Sequence, residues 1–247
     1  MSDPVNPLAH LRAVVFDLDG TLYDQPPLRR RMLVELALAP LSGPVRALRV
    51  TRMLAAFRKE REHLRALGQS AESLEALQYA RPAARIGVPE PAMRAAVAEW
   101  MFERPLRHLG PCARRGLDAG LRRLSEAGLK LGVFSDYPVD AKLGALGVRA
   151  RFSTCLDATA PEVNAFKPHP AGFAAAAARL GVAPHETLYV GDRLDVDVAG
   201  AHAAGMHAAL IGHEAARSAS LPAREGLQLL AHLDFTELVD AILAPRA

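Results

Sequence analysis

Cysteine is almost missing from this chain of 247 residues: Cys112 and Cys155 are the only two. Two thiols are too few for a disulfide framework or a structural zinc site, so they read as small buried residues in a reducing compartment. Long apolar runs are missing as well. No stretch approaches the roughly 20 apolar residues that cross a bilayer. The opening MSDPVNPLAH has neither a basic start nor an apolar centre, so no secretory leader is expected. A soluble, cytoplasmic protein without membrane partners follows as the expectation. Net charge is also small. A formal +3 gives no case for nucleic acid as a partner. Lysine is scarce, with four against twenty-six arginines, so each lysine stands out.

What is present points to a globular chain. Half the residues are apolar and the mean hydropathy is +0.06. The length suits one large α/β domain or a core with a smaller insert. Basic residues are unevenly placed: Leu28–Arg107 holds fifteen Lys/Arg against eight Asp/Glu, and the remainder fifteen against nineteen.

The stretch that organises the chain is Ala13–Asp24, AVVFDLDGTLYD. Four apolar residues run into Asp17 and Asp19, then Gly20 and Thr21. A short apolar run that ends in Asp and Gly reads as a buried parallel strand opening into a loop. In open α/β sheets ligands bind beyond the carboxyl ends of the strands. Residues i and i+2 share one side of an extended chain, so both carboxylates can face one reacting atom. Two acids that close repel each other unless a cation or a shared proton relieves them. Taken alone, the same residues also fit an ordinary turn, with Asp capping and Gly supplying a positive φ.

After Pro26–Pro27 the pattern turns helical. Leu28–Ala39, Val45–Leu67, Ser70–Tyr79 and Pro91–Phe102 carry apolar residues at helical spacing. Pro40, Gly43–Pro44, Gly68, Pro82, Gly87 and Pro89 punctuate them. No strand is expected between Leu28 and Arg107. Arg46, Arg49 and Arg52 read as solvated surface. From Pro111 helices and strands alternate. The expected order is helix Gly116–Ala127, strand Leu129–Phe134, helix Ala141–Leu146, weak strand Phe152–Leu156 and helix Pro170–Leu180. Strand Thr187–Val190, helix Val198–Ala204, strand His207–Ile211 and helix Phe235–Leu243 complete it. Alternation implies right-handed crossovers and a parallel sheet. The predicted fold is a doubly wound α/β core, residues 1–24 and 108–247, interrupted by an all-helical insert over residues 25–107.

Polar groups fall just beyond the expected strands: Asp17 and Asp19, then Ser135, then Asp192, Asp195 and Asp197. Lys167 lies in the Pro-flanked loop before the Ala-rich helix. The order DLDGT, Ser135 after VF, KPHP at Lys167–Pro170 and GDRLDVDVAGA at Gly191–Ala201 resembles the haloacid dehalogenase-like hydrolases. The likeness is to their phosphatase branch with a helical cap after the first strand, and it spans Arg12 to about Ile211.

The resemblance implies a Mg²⁺-dependent phosphatase acting on a small phosphorylated metabolite. Asp17 is then the nucleophile that forms an aspartyl-phosphate, and Asp19 the general acid and base. Mg²⁺ is held by Asp17, the backbone carbonyl of Asp19 and Asp192. Ser135 binds a phosphoryl oxygen, and Lys167 neutralises phosphoryl charge and keeps Asp17 ionised. Asp197 supports the metal's water or Lys167, and Thr21 fixes the loop. Asp195 reads as exposed or capping and Arg193 as locally paired. Asp136 stands where relatives often carry Asn, and Asn164 where they often carry Gly. The nine histidines show no ligand spacing, and His169 and His185 read as surface.

Four alternatives differ in what they need. A phosphosugar mutase of the same family keeps both acids. A dehalogenase does not need Asp19, and phosphonate hydrolysis needs a cap lysine, for which only Lys59 is present. A non-catalytic module on the same fold would be expected to have lost one of Asp17, Asp19, Lys167 and Asp192. The substrate and the oligomeric state are not legible.

Overall fold

Ala13–Phe16 form the central strand, buried at all four positions as an apolar run between two helical layers must be. The computed structural model describes residues 8, 10–38, 43–212, 226–232 and 234–244. In chain order, β1 (Ala13–Phe16) is followed by α1 (Gln25–Leu38), α2 (Pro44–Leu67), α3 (Leu74–Ile86) and α4 (Glu90–Val97). A π-helical segment, Ala98–Glu103, continues α4, and the short α5 (Leu106–Leu109) follows. Then come α6 (Leu117–Glu126), β2 (Lys130–Ser135), α7 (Asp140–Ala145), β3 (Thr154–Asp157), α8 (Ala171–Leu180) and β4 (Thr187–Gly191). A second π-helical segment, Leu194–Val198, leads into α9 (Ala199–Ala203), and β5 (His207–Ile211), β6 (Leu229–His232) and α10 (Phe235–Leu243) end the chain.

The six strands are all parallel, in the order β3-β2-β1-β4-β5-β6. The chain moves outward from β1 through β2 to β3, then returns to place β4 on the other side of β1. That reversal is the switch point at which open α/β sheets bind ligands. Alternate side chains of β1 feed two cores. Val14 and Phe16 pack with Leu121, Phe235 and Val239 of α6 and α10. Ala13 and Val15 pack with Phe173, Ala176 and Leu180 of α8.

The helices after β1 have a core of their own, built from Val50, Met53, Leu54, Phe57, Tyr79 and Met93. Fully buried, Phe57 contributes about 1.5–3 kcal/mol to holding α2 there. The end of α2 and the start of α3 instead join the α/β core, through Leu64, Leu74 and Leu77 beside Phe166. One helical layer therefore rests on the sheet's ligand-binding edge.

Three expectations change. Pro82 lies inside α3 rather than ending it; Leu77, Tyr79 and Ala83 are buried around it, and this packing outweighs the lost backbone bond. The helix starts at its cap Ser73, whose hydroxyl accepts from the Ala76 amide, and stops at left-handed Gly87. Leu229–His232 add an edge strand where none was expected. The segment expected to be a helix from Val198 begins earlier, at Leu194, as a π-turn. Arg46, Arg49 and Arg52 are exposed, as their pattern suggested. Among the described residues no helix is long and apolar enough to cross a membrane.

Candidate active site

β1 ends against β4, with the Asp17 amide donating to the Val190 carbonyl at 2.8 Å. Asp17 therefore leaves the sheet beside Gly191–Asp192. Two glycines make this possible. Gly20 has φ +98°, and a Cβ there would sit 2.1 Å from an Asp192 carboxylate oxygen. A Cβ on Gly191 would meet Asp197 at 2.3 Å. The two loops interlock at a distance that only glycine permits.

Lys167 is the hub. Its Nζ donates to Asp17 Oδ1 at 2.7 Å, Asp197 Oδ1 at 2.6 Å and the Tyr189 hydroxyl at 3.0 Å. All three ammonium donors are thus used, which a fully buried lysine requires. Burial opposes its charge, but Asp17 and Asp197 outweigh that and hold its pKa above the ordinary lysine range. The other oxygen of Asp197 accepts from the amides of Asp192 and Arg193, at 3.1 and 3.0 Å. Those bonds pin the π-turn and explain its early start.

Asp17, Asp192 and Asp197 each place a carboxylate oxygen within 4.8 Å of the others. Burial first, then the neighbouring carboxylates, push Asp17 up to about 8 and Asp192 to about 7. Asp19 goes the other way. Its burial would raise it, but Lys142, with Nζ 2.5 and 2.8 Å from the two oxygens, lowers it, and the Tyr23 hydroxyl also donates to it. Ser135, at the end of β2, lines the same cavity of about 850 Å³ as Asp17 and Lys167.

The expected residues converge on this edge, with one difference. Thr21 is buried, but its hydroxyl has no hydrogen-bond partner among the described residues. The loop is held instead by Arg114, which donates to the carbonyls of Gly20 at 2.6 Å and Thr21 at 3.3 Å. Asp195 is exposed and pairs with Arg193 at 2.7 Å.

Sequence reasoning missed Lys142, although the scarcity of lysine that flagged Lys167 applies to it equally. It also missed a link from the helical layer to the site. Arg65 of α2 pairs with Asp136 Oδ2 at 2.8 Å and donates to the Lys167 carbonyl at 2.6 Å. Asp136 Oδ1 accepts from the Lys167 amide at 3.1 Å. Buried Arg61 donates to the Asp136 carbonyl at 2.7 Å and stacks on Tyr137 and Phe166. Asn164, at φ 41°, accepts from the Leu74 amide at 2.8 Å and donates to the carbonyls of Ser70 and Glu72. Asp136 and Asn164 therefore both help to fasten the helices that follow β1 to the loops of the site. His185 is exposed, as expected; its ring lies near His10, and its carbonyl is within 3.1 Å of His207 Nε2.

An aspartate at the switch point, bonded to a buried lysine and flanked by further acids, offers a carboxylate nucleophile beside fixed positive charge. The chain belongs to the haloacid dehalogenase-like hydrolases, whose family model matches residues 11–205. It is 34% identical over 203 residues to the glyceraldehyde 3-phosphate phosphatase of Methanopyrus kandleri, covering 79% of this chain and 82% of that one. It is 30% identical over 225 residues to the phosphoglycolate phosphatase of Escherichia coli K12, with 81% of each covered. The crystal structure of a HAD phosphatase from Thermococcus onnurineus superposes with a TM-score of 0.61 at 23% identity, over 96% of this chain and all of that one.

Proposed function

We propose that this chain is a Mg²⁺-dependent phosphatase of the cytoplasm that hydrolyses a small phosphorylated metabolite through an aspartyl-phosphate. Residues 25–107 act as its cap. The observation that carries the reading is the charge imbalance beyond β1. Asp17, Asp192 and Asp197 share one cluster, and among the described residues Lys167 is the only cation bonded within it. Two negative charges are left over, which is why burial lifts Asp17 and Asp192 so far. The hard oxygen donors of Asp17 and Asp192 suit Mg²⁺, whereas Asp197 is already engaged on both oxygens by Lys167 and two amides. When bound there, Mg²⁺ would return both acids to their ionised form and neutralise charge on the phosphoryl group.

The chain's own groups divide the remaining work. Asp17 attacks phosphorus as the alcohol leaves, and the ester bond is replaced by an acyl-phosphate on its carboxylate. Lys167, fixed by three acceptors, orients that carboxylate and offers charge without reorganising. Ser135 faces the same cavity and can donate to a phosphoryl oxygen. Asp19, which Lys142 and Tyr23 hold ionised, takes up a proton from water as one of those contacts opens, delivers it to the leaving oxygen, and then takes a proton from the water that hydrolyses the acyl-phosphate. The test is hydrolysis of p-nitrophenyl phosphate. It should need Mg²⁺, stop with EDTA and be absent in Asp17→Asn, and full turnover by that variant would refute the mechanism.

A further inference from the structure

A second cavity, of about 640 Å³, opens from the first where Asp19, Gln25, Arg29 and Tyr137 line both. It runs between α1, α2 and the π-helical segment after α4. Its walls are mainly apolar, set by Met32, Leu36, Leu54, Trp100, Met101 and Phe102. Among the described residues Asp19 is the only acid that lines it, and that carboxylate is already paired with Lys142; the remaining charged groups in the lining, Arg29 and Arg58, are exposed. Asp17, Asp192 and Lys167 do not reach it. The cavity therefore lies on the side of the group that meets the leaving oxygen, away from the acids that hold the phosphoryl end.

Resting on the phosphatase reading above, we propose that the substrates are phosphate monoesters of bulky, predominantly apolar alcohols, whose hydrocarbon body fills this second cavity. Two physical points carry it. Aromatic and aliphatic side chains that line a water-filled space gain nothing until an apolar group displaces the water. The volume lies inside the range of about 300–1,000 Å³ that encloses ligands of some twenty atoms or more, and a leaving group of two or three carbons would leave most of it empty. The phosphoglycolate and glyceraldehyde 3-phosphate phosphatases to which the chain is similar are named for such small leaving groups. On this proposal the present chain prefers larger leaving groups than those names describe.

The test is a series of alkyl phosphates whose leaving alcohols are nearly equal in basicity: ethyl, n-butyl, n-hexyl and 2-phenylethyl phosphate, with Mg²⁺. On this proposal kcat/KM rises by about fourfold per methylene buried, until the cavity is full. Ala55 is exposed on α2 and lines the cavity, so Ala55→Trp fills the space without disturbing the core. It should bring the ratio of 2-phenylethyl to ethyl phosphate turnover down toward one. Leu33→Lys, at an α1 position that is 62% exposed, places a charge in the same wall and should do likewise. A series that is flat while every member turns over would overturn the proposal and leave the phosphatase reading standing. A rising series whose ratio survives both substitutions would overturn it too, by placing the hydrocarbon elsewhere. No turnover of any ester, p-nitrophenyl phosphate included, would overturn both.

Discussion

Replacing Asp136 by Asn tests whether the inserted helices hold the active-site lysine in place. Asp136 carries two separable contacts: Oδ1 with the Lys167 amide at 3.1 Å and Oδ2 with Arg65 at 2.8 Å. An asparagine keeps an oxygen for the amide and turns its NH₂ toward the guanidinium, so it deletes only the second. Both side chains are largely shielded, at 15% and 10% exposure, so water cannot replace the lost bond cheaply. A hydrogen bond to a charged group is worth about 1.5–3 kcal/mol, and we expect about 2 kcal/mol here. Denaturant unfolding of the wild type, Asp136→Asn, Arg65→Met and the double variant isolates the pair. Arg65 also bonds the Lys167 carbonyl, but that loss occurs in both arms of the cycle and cancels. Turnover of p-nitrophenyl phosphate supplies the second readout. Lys167 is gripped at its amide by Asp136 and at its carbonyl by Arg65, so kcat should fall about tenfold or more as its Nζ loses alignment with Asp17. A coupling energy below about 0.5 kcal/mol, with kcat unchanged, would reduce the contact to an ordinary surface ion pair and refute the reasoning.

Two further outcomes follow from side chains outside the reacting cluster. Asn164→Gly should cost about 2 kcal/mol, because three hydrogen bonds to residues 70–74 are lost while the left-handed φ of 41° becomes free of strain. Asn164→Ala should cost about 1 kcal/mol more for that φ, and equal losses in thermal or denaturant unfolding would show that strain is not carried there. Buried His207 accepts the Gln228 amide on Nδ1 and has His10, His185 and His202 around it. Burial and then His10 lower its pKa. The unfolded chain therefore binds the extra proton first, and stability falls as pH drops below the ordinary histidine value of about 6.5, by up to about 1.4 kcal/mol per unit. His207→Gln should flatten that slope in unfolding measured from pH 7.5 to 5; an identical slope would assign the proton uptake to another group.

The parallel core was legible because buried strands leave a strong mark, an apolar run closed by a carboxylate, glycine or serine. β1, β2 and β4 all carry it, and the groups it flags are those that the switch point gathers. β6 lacks it: its residues are half-buried or exposed at the sheet edge, so nothing in Leu229–His232 demands a strand until β5 is beside it. Pro82 misled for the opposite reason, since a local breaking signal lost to packing that only the tertiary structure supplies.

The same division runs through the site. Asp17, Asp19, Asp192 and Lys167 could be read from strand ends and loop position, because each is placed by its own neighbours in sequence. Which cation serves which acid could not, because those pairings close across long stretches of chain. Lys142 meets Asp19 from 123 residues away, and Arg65 reaches the Lys167 carbonyl across 102. That allocation decides the chemistry. With Lys142 assigned to Asp19, Arg65 to Asp136 and Arg114 to Asp24, Lys167 is, among the described residues, the one cation that pairs within the cluster of Asp17, Asp192 and Asp197, and its contacts are to Asp17 and Asp197. The acid pair beyond β1 signals that a cation is needed, but the paired charges around it show where the deficit lies. It falls on Asp17 and Asp192, which line the first cavity and not the apolar one, so that on the proposed reading charge neutralisation and leaving-group recognition are divided between two cavities that meet at Asp19.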